Sequence, residues 1–151
     1  MKESKKKFIL MADDDEDDRS FFAEAMKESG YEHELRFAFD GNDLLEQLNQ
    51  LKSVEFIKLP DLIFLDLNMP VRDGRETLKI LKKDPHFALI PVFIYTTSNS
   101  DFDVNLCYKN GANLFITKPS DFDVIVNIIG NICQLVDNYV VLPYQHAIDK
   151  N

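Results

Sequence analysis

Five short strand-like segments alternate along this chain with five stretches whose apolar residues recur at helical spacing. The strand-like segments are Phe8 to Ala12, Glu34 to Phe39, Leu62 to Leu65, Ile90 to Tyr95 and Leu114 to Thr117. The second alternates polar and apolar residues, as an edge strand does. Leu62 to Leu65 is apolar throughout and lies between Pro60 and Pro70, as suits a strand buried on both faces. The first helix is expected from about Asp17 to Ser29, with Phe21, Phe22, Ala25 and Met26 on one side and Gly30 as its stop. A second follows the turn Asp40-Gly41-Asn42 and carries Leu44, Leu45, Leu48 and Leu51. A third runs from about Gly74 to Lys83 with Leu78 and Leu81, ended by Asp84-Pro85. The fourth spans Asp101 to Lys109. The fifth is capped by Ser120 or Asp121, and its apolar stripe includes Val124, Ile125, Ile128, Ile129, Ile132 and Leu135. Such alternation calls for a doubly wound, five-stranded parallel sheet with helices on both faces and right-handed crossovers.

At 151 residues the chain fits one domain, and it shows neither an internal repeat nor a linker. Residues 1–7 read as a basic tail carrying Lys2, Lys5, Lys6 and Lys7, residues 8–138 as the domain, and 139–151 as an extension of undefined structure. A net charge of −9 argues against nucleic acid or an anionic membrane as partner, because phosphate contacts need a basic face. Phe8 to Ala12 is too short for a signal peptide or a membrane span, which points to the cytoplasm. Cys107 and Cys133 are far apart among apolar residues and read as buried free thiols in helices. His33, His86 and His146 read as surface or loop residues.

The chemistry collects at the ends of the strands. The first runs into six acids, Asp13 to Asp18; the third ends on Asp66, the fourth on Thr96 and the fifth on Lys118. Asp15 to Asp18 suit the first turn of the following helix, where the macrodipole favours negative charge. Asp13 and Asp14 stand at the strand tip itself. In a doubly wound sheet these ends share one rim, where ligands gather. Clustered carboxylates repel unless a cation joins them, and hard oxygen donors suit Mg²⁺. A cation, a hydroxyl and an ammonium together match three oxygens of a phosphoryl group, and an aspartate can accept one as an acyl phosphate. Taken singly, Asp66 also reads as a turn or cap residue, Thr96 as a helix cap, Lys118 as a surface lysine and Phe115 as plain core; the conjunction is what makes a site.

The pieces Ile9-Leu10-Met11-Ala12-Asp13-Asp14-Asp15, Leu65-Asp66-Leu67-Asn68-Met69-Pro70 with Asp73-Gly74, Tyr95-Thr96-Thr97 and Phe115-Ile116-Thr117-Lys118-Pro119 occur in the order of a response-regulator receiver domain. The chain resembles the CheY-like, stand-alone type of that family from residue 8 to about 136. The resemblance implies a flavodoxin-like strand order 2-1-3-4-5. It implies Asp66 as phosphoacceptor, fed by a sensor histidine kinase or a histidine phosphotransfer protein. Mg²⁺ would be held by Asp14 and Asp66, by Asp13 through water, and by the backbone carbonyl of Asn68. Thr96 and Lys118 would bind the phosphoryl group, Phe115 would be the aromatic switch, and Lys118–Pro119 would be a cis bond. Asn68 and Ser98 would tune hydrolysis, and Ser98 is too short to screen the pocket. Such a domain is a self-phosphorylating and autodephosphorylating acceptor rather than a turnover enzyme. Its output would pass to a downstream target protein, from a monomer or a weak, phosphorylation-dependent dimer.

Asp15 adds a further acid, so the metal pair can also be read one residue on. Thr97 stands where the family often has a smaller residue. Two other readings share parts of the pattern. A haloacid-dehalogenase-like phosphohydrolase also uses a strand-end aspartate with Mg²⁺, but it wants a second aspartate where Asn68 stands. A pseudo-receiver acting only as a binding module would not need the intact acid set.

Overall fold

The computed structural model describes residues 6–55 and 57–143. Lys2, Lys5, Phe56 and His146 therefore lie outside the described residues, as does most of the extension. The elements in chain order are β1 (Phe8–Ala12), α1 (Glu16–Glu28), β2 (Glu34–Ala38), α2 (Gly41–Ser53), β3 (Leu62–Leu65), α3 (Gly74–Lys83), β4 (Val92–Thr96), α4 (Asp101–Lys109), β5 (Leu114–Thr117) and α5 (Phe122–Asn138). The strands form one parallel sheet in the order β2-β1-β3-β4-β5.

Each helix begins on a side chain that accepts a hydrogen bond from an otherwise unpaired backbone N–H. Asp15, Asp40, Asp73, Ser100 and Asp121 cap α1 to α5 in turn. A cap of this kind contributes about 0.5–2 kcal/mol.

The period of two along the central strands sorts their side chains between two cores. On one face Leu10, Ile63, Leu65 and Ile94 pack with Leu44 and Leu48 of α2, Leu78 and Leu81 of α3, and Cys107 of α4. On the other, Ile9, Met11, Leu62, Phe64 and Tyr95 pack with Phe22, Ala25 and Met26 of α1 and Ile125, Ile129 and Cys133 of α5. Both cysteines are buried and unpaired, and burial pushes the Cys107 thiol up to about 11 and the Cys133 thiol up to about 12.

Some boundaries and faces differ from expectation. β4 begins at Val92 rather than Ile90, since the Ile90 N–H turns back to Phe87 and Pro91 has no N–H for the ladder. β2 ends at Ala38; Phe39 is exposed, with the Arg19 guanidinium 4.5 Å over its ring. Phe21 of α1 is also exposed, beside a fully buried Phe22. On α5 the inward line is Ile125, Ile129, Cys133 and Val136, whereas Val124 and Leu135 face out. His33 lies in the loop before β2, as expected, but its side chain is buried. Its Nδ1 accepts from the Lys7 N–H at 3.0 Å, and its Nε2 lies 3.3 Å from Asp137, with both side chains only 2% exposed. Every peptide bond among the described residues is trans, Lys118–Pro119 included, so the implied cis bond is not formed. An X–Pro bond on its own prefers trans by about 0.5–1 kcal/mol, and here Lys118 N–H still bonds to Thr96 O at 2.7 Å before the chain turns.

Candidate functional site

The site stands at the carboxyl ends of β1, β3, β4 and β5, on both sides of the point where strand order reverses. Ala12 ends β1 and hands Asp13 directly to the rim, where its N–H bonds to Ala38 O and its side chain is wholly buried. Leu65 ends β3 and does the same for Asp66, whose N–H bonds to Ala12 O. The two carboxylates are thereby brought in from neighbouring strands. Asp14 follows Asp13 and is exposed. One oxygen from each of Asp13, Asp14 and Asp66 lies within 4.8 Å of the others. That donor set of clustered, hard, anionic oxygens fits a small divalent cation.

Lys118 reaches the same spot from the end of β5. Its Nζ lies 2.6 Å from Asp13 Oδ2, 2.8 Å from Asp18 Oδ2 and 3.2 Å from Asp66 Oδ2. Burial works against the ammonium, but the hydrogen bonds to Asp13 and Asp18 and the charges of Asp13 and Asp66 outweigh it and hold its pKa above the ordinary lysine range. Burial pushes the Asp13 carboxyl up to about 6, against the opposing hydrogen bonds from Lys118 and the Asp15 N–H. The pocket therefore places one cation among four acids, in a site that excludes most solvent from Asp13, Asp66 and Lys118.

Thr96 is the last residue of β4, buried, and paired in register with Thr117. Its Oγ1 accepts from the Ser98 N–H at 3.4 Å. Asn68 is exposed in the loop after β3, and its N–H approaches Asp66 Oδ1 at 3.4 Å. Phe115 stands apart from the acids: it is half-buried against the α2–α4 core, and its N–H donates to the Tyr108 hydroxyl at 3.0 Å. Thr97 is exposed and Pro119 half-buried.

The loop after Asp66 depends on a glycine. Gly74 N–H bonds to Leu67 O, and a Cβ at Gly74 would come within 2.0 Å of the Asp66 carbonyl oxygen. Only a residue without a side chain lets the start of α3 pack this close to the Asp66 backbone.

Three residues of this region were not legible as part of it. Asp18 reads from sequence as a helix first-turn acid, yet its side chain bonds Lys118. Arg75 and Asp103 form a bidentate pair across α3 and α4, and Asp103 also accepts from Ser98 Oγ at 2.5 Å. Nothing in the local pattern joins residues 28 positions apart.

A sequence profile described as the response regulator receiver domain matches residues 9–130. The response regulator Rcp1 of Synechocystis sp. is 34% identical over 137 residues, which is 91% of this chain and 93% of that protein. A crystal structure of the phosphorylated cyanobacterial phytochrome response regulator RcpA superposes with a TM-score of 0.83 at 31% identity, covering 93% of this chain and all of that one. The Mn²⁺-bound form of Rcp1 gives a TM-score of 0.80 at 33% identity, over 91% of this chain and 99% of that one. Neither the dehalogenase-like hydrolase nor the pseudo-receiver finds support in these relatives. With the strand order, the rim of acids and these relatives in agreement, this chain belongs to the response regulator receiver family, the phosphorelay component of two-component signalling.

Proposed function

We propose that Asp66 is the phosphoacceptor and takes its phosphoryl group from a phosphohistidine on a sensor histidine kinase or a histidine phosphotransfer protein. An Oδ of Asp66 forms the new bond to phosphorus as the phosphorus–nitrogen bond to the donor breaks, and the electron pair leaves with the imidazole. The single observation that carries this reading is the Lys118 ammonium bridging Asp66 and Asp13 at the bottom of the acidic rim.

Asp14 and Asp66, Asp13 through water and the Asn68 carbonyl are the residues suited to hold Mg²⁺, which supplies charge neutralisation at the phosphoryl oxygens. Lys118 then exchanges a carboxylate for a phosphoryl oxygen, and the Thr96 hydroxyl donates to another. Movement of Thr96 draws on the Ser98 N–H that meets its Oγ1, and Phe115 responds on the neighbouring strand. The output surface is the face of α4, β5 and α5, where Phe102, Tyr108, Leu114 and Val124 are exposed for a downstream target protein. A phytochrome response regulator among the relatives favours a photoreceptor kinase as donor. The domain works in the cytoplasm, as a monomer or a weak phosphorylation-dependent dimer, and autodephosphorylates instead of turning over an external substrate. Among the described residues, no helix is long and apolar enough to cross a membrane.

The test is labelling by acetyl phosphate. With Mg²⁺ the chain should gain one base- and hydroxylamine-labile phosphoryl group, and a chelator should suppress it. Multiple turnovers of a simple phosphomonoester without a covalent label would instead indicate a hydrolase.

A further inference from the structure

A second charge pair stands beside the same strand ends and is not used by phosphoryl transfer. Arg75, in the first turn of α3, donates from Nε and Nη2 to the two oxygens of Asp103 on α4, at 2.6 and 2.8 Å. Asp103 is only 6% exposed, and its N–H is capped by Ser100. Its remaining contact is Ser98 Oγ at 2.5 Å. The hydrogen bonds from Arg75 first, and then from Ser98, hold its carboxyl far below the usual carboxylate range. Arg75 also extends Nη1 to Asn68 Oδ1 at 3.5 Å and to Asp73 at 3.6 Å.

One guanidinium–carboxylate pair therefore ties together the two loops that frame Asp66. The loop after β3 carries Asn68, two residues beyond Asp66, and the loop after β4 carries Ser98, two residues beyond Thr96. A fork-to-fork pair with one partner buried has a single geometry, so it fixes both loops against each other. We infer that Arg75 and Asp103 are positioning residues for loss of the phosphoryl group: they hold Asn68 and Ser98 so that water meets the acyl phosphate in a fixed orientation. In that step the water oxygen bonds to phosphorus as the bond to Asp66 breaks. The electron pair returns to the Asp66 carboxylate, inorganic phosphate departs, and the released proton passes to solvent. Orientation is what the pair governs, since access is already open: Asn68 is exposed, and the short Ser98 hydroxyl is turned toward Asp103. The inference rests on Asp66 being the phosphoacceptor.

The experiment labels the full chain with acetyl phosphate and Mg²⁺, removes the donor by desalting, and follows decay of the aspartyl phosphate. Arg75→Gln and Asp103→Asn should each slow decay about 3- to 10-fold, and the double variant should decay no more slowly than either single one, because all three break the same link. The extent of labelling should stay near that of the parent. A merely structural role would lower the melting temperature and the labelling extent and leave the decay constant unchanged. Decay at the parent rate or faster in Arg75→Gln, or multiplicative slowing in the double variant, overturns the inference while leaving Asp66 as acceptor. Failure of the parent itself to take label overturns the reading of Asp66 and this inference with it.

Discussion

Replacing Asp14 by alanine is expected to abolish labelling by acetyl phosphate while leaving the fold as stable as before. Asp14 is exposed, and among the described residues its side chain makes no hydrogen bond, so its removal leaves no buried partner unsatisfied. It is nonetheless one of the three carboxylates whose oxygens converge within 4.8 Å. With it gone, Lys118 alone would offset Asp13 and Asp66, and a divalent cation held by the three carboxylates would lose one of its ligands. Labelling is read by phosphate-affinity electrophoresis and stability by thermal melting. A variant that labels as fully as the parent, or that labels without metal, would show that Asp14 is no ligand.

The largest expected effect on stability lies beneath the site. Phe22 is fully buried, edge-on to Phe64 with ring centroids 4.8 Å apart and 5.7 Å from Tyr95. Phe64 is two residues before Asp66, and Tyr95 is the residue before Thr96. Phe22→Ala leaves a cavity in the α1–α5 core and should cost about 3–5 kcal/mol. For a domain of this size that corresponds to a fall of roughly 6–20 °C in Tm. Phe21→Ala, one residue away on the exposed side, should cost less than about 1 kcal/mol. Urea unfolding of the two variants measures both values, and equal losses would contradict the assignment of Phe22 to the core.

That neighbouring pair illustrates where sequence reading reaches and where it stops. The order of strands and helices was legible because short apolar runs and helical periodicity report on different backbone geometries. The cluster of charges on the rim was legible because each group is delivered by a strand end, so Asp13, Asp14, Asp66 and Lys118 needed only the topology to bring them together. The facing of α5 was not legible, because Val124, Ile128 and Leu135 make the helix apolar well beyond the line that packs inward. Asp18 was hidden by a helix end that welcomes acids on local grounds. Arg75 with Asp103, and His33 with Asp137, are partnerships made by tertiary packing alone. The trans Lys118–Pro119 bond departs from what the resemblance implied, and nothing in the local residues distinguishes the two isomers.

The most direct test of the account is to locate the phosphoryl group. Labelled protein is treated with borohydride, which reduces an aspartyl phosphate to homoserine, and the product is sequenced by tandem mass spectrometry. Asp66 should be the one aspartate converted, and Asp66→Asn should yield no homoserine at any position. Conversion at Asp13, Asp14 or Asp15, or undiminished labelling of Asp66→Asn, would contradict the assignment of Asp66 as the phosphoacceptor.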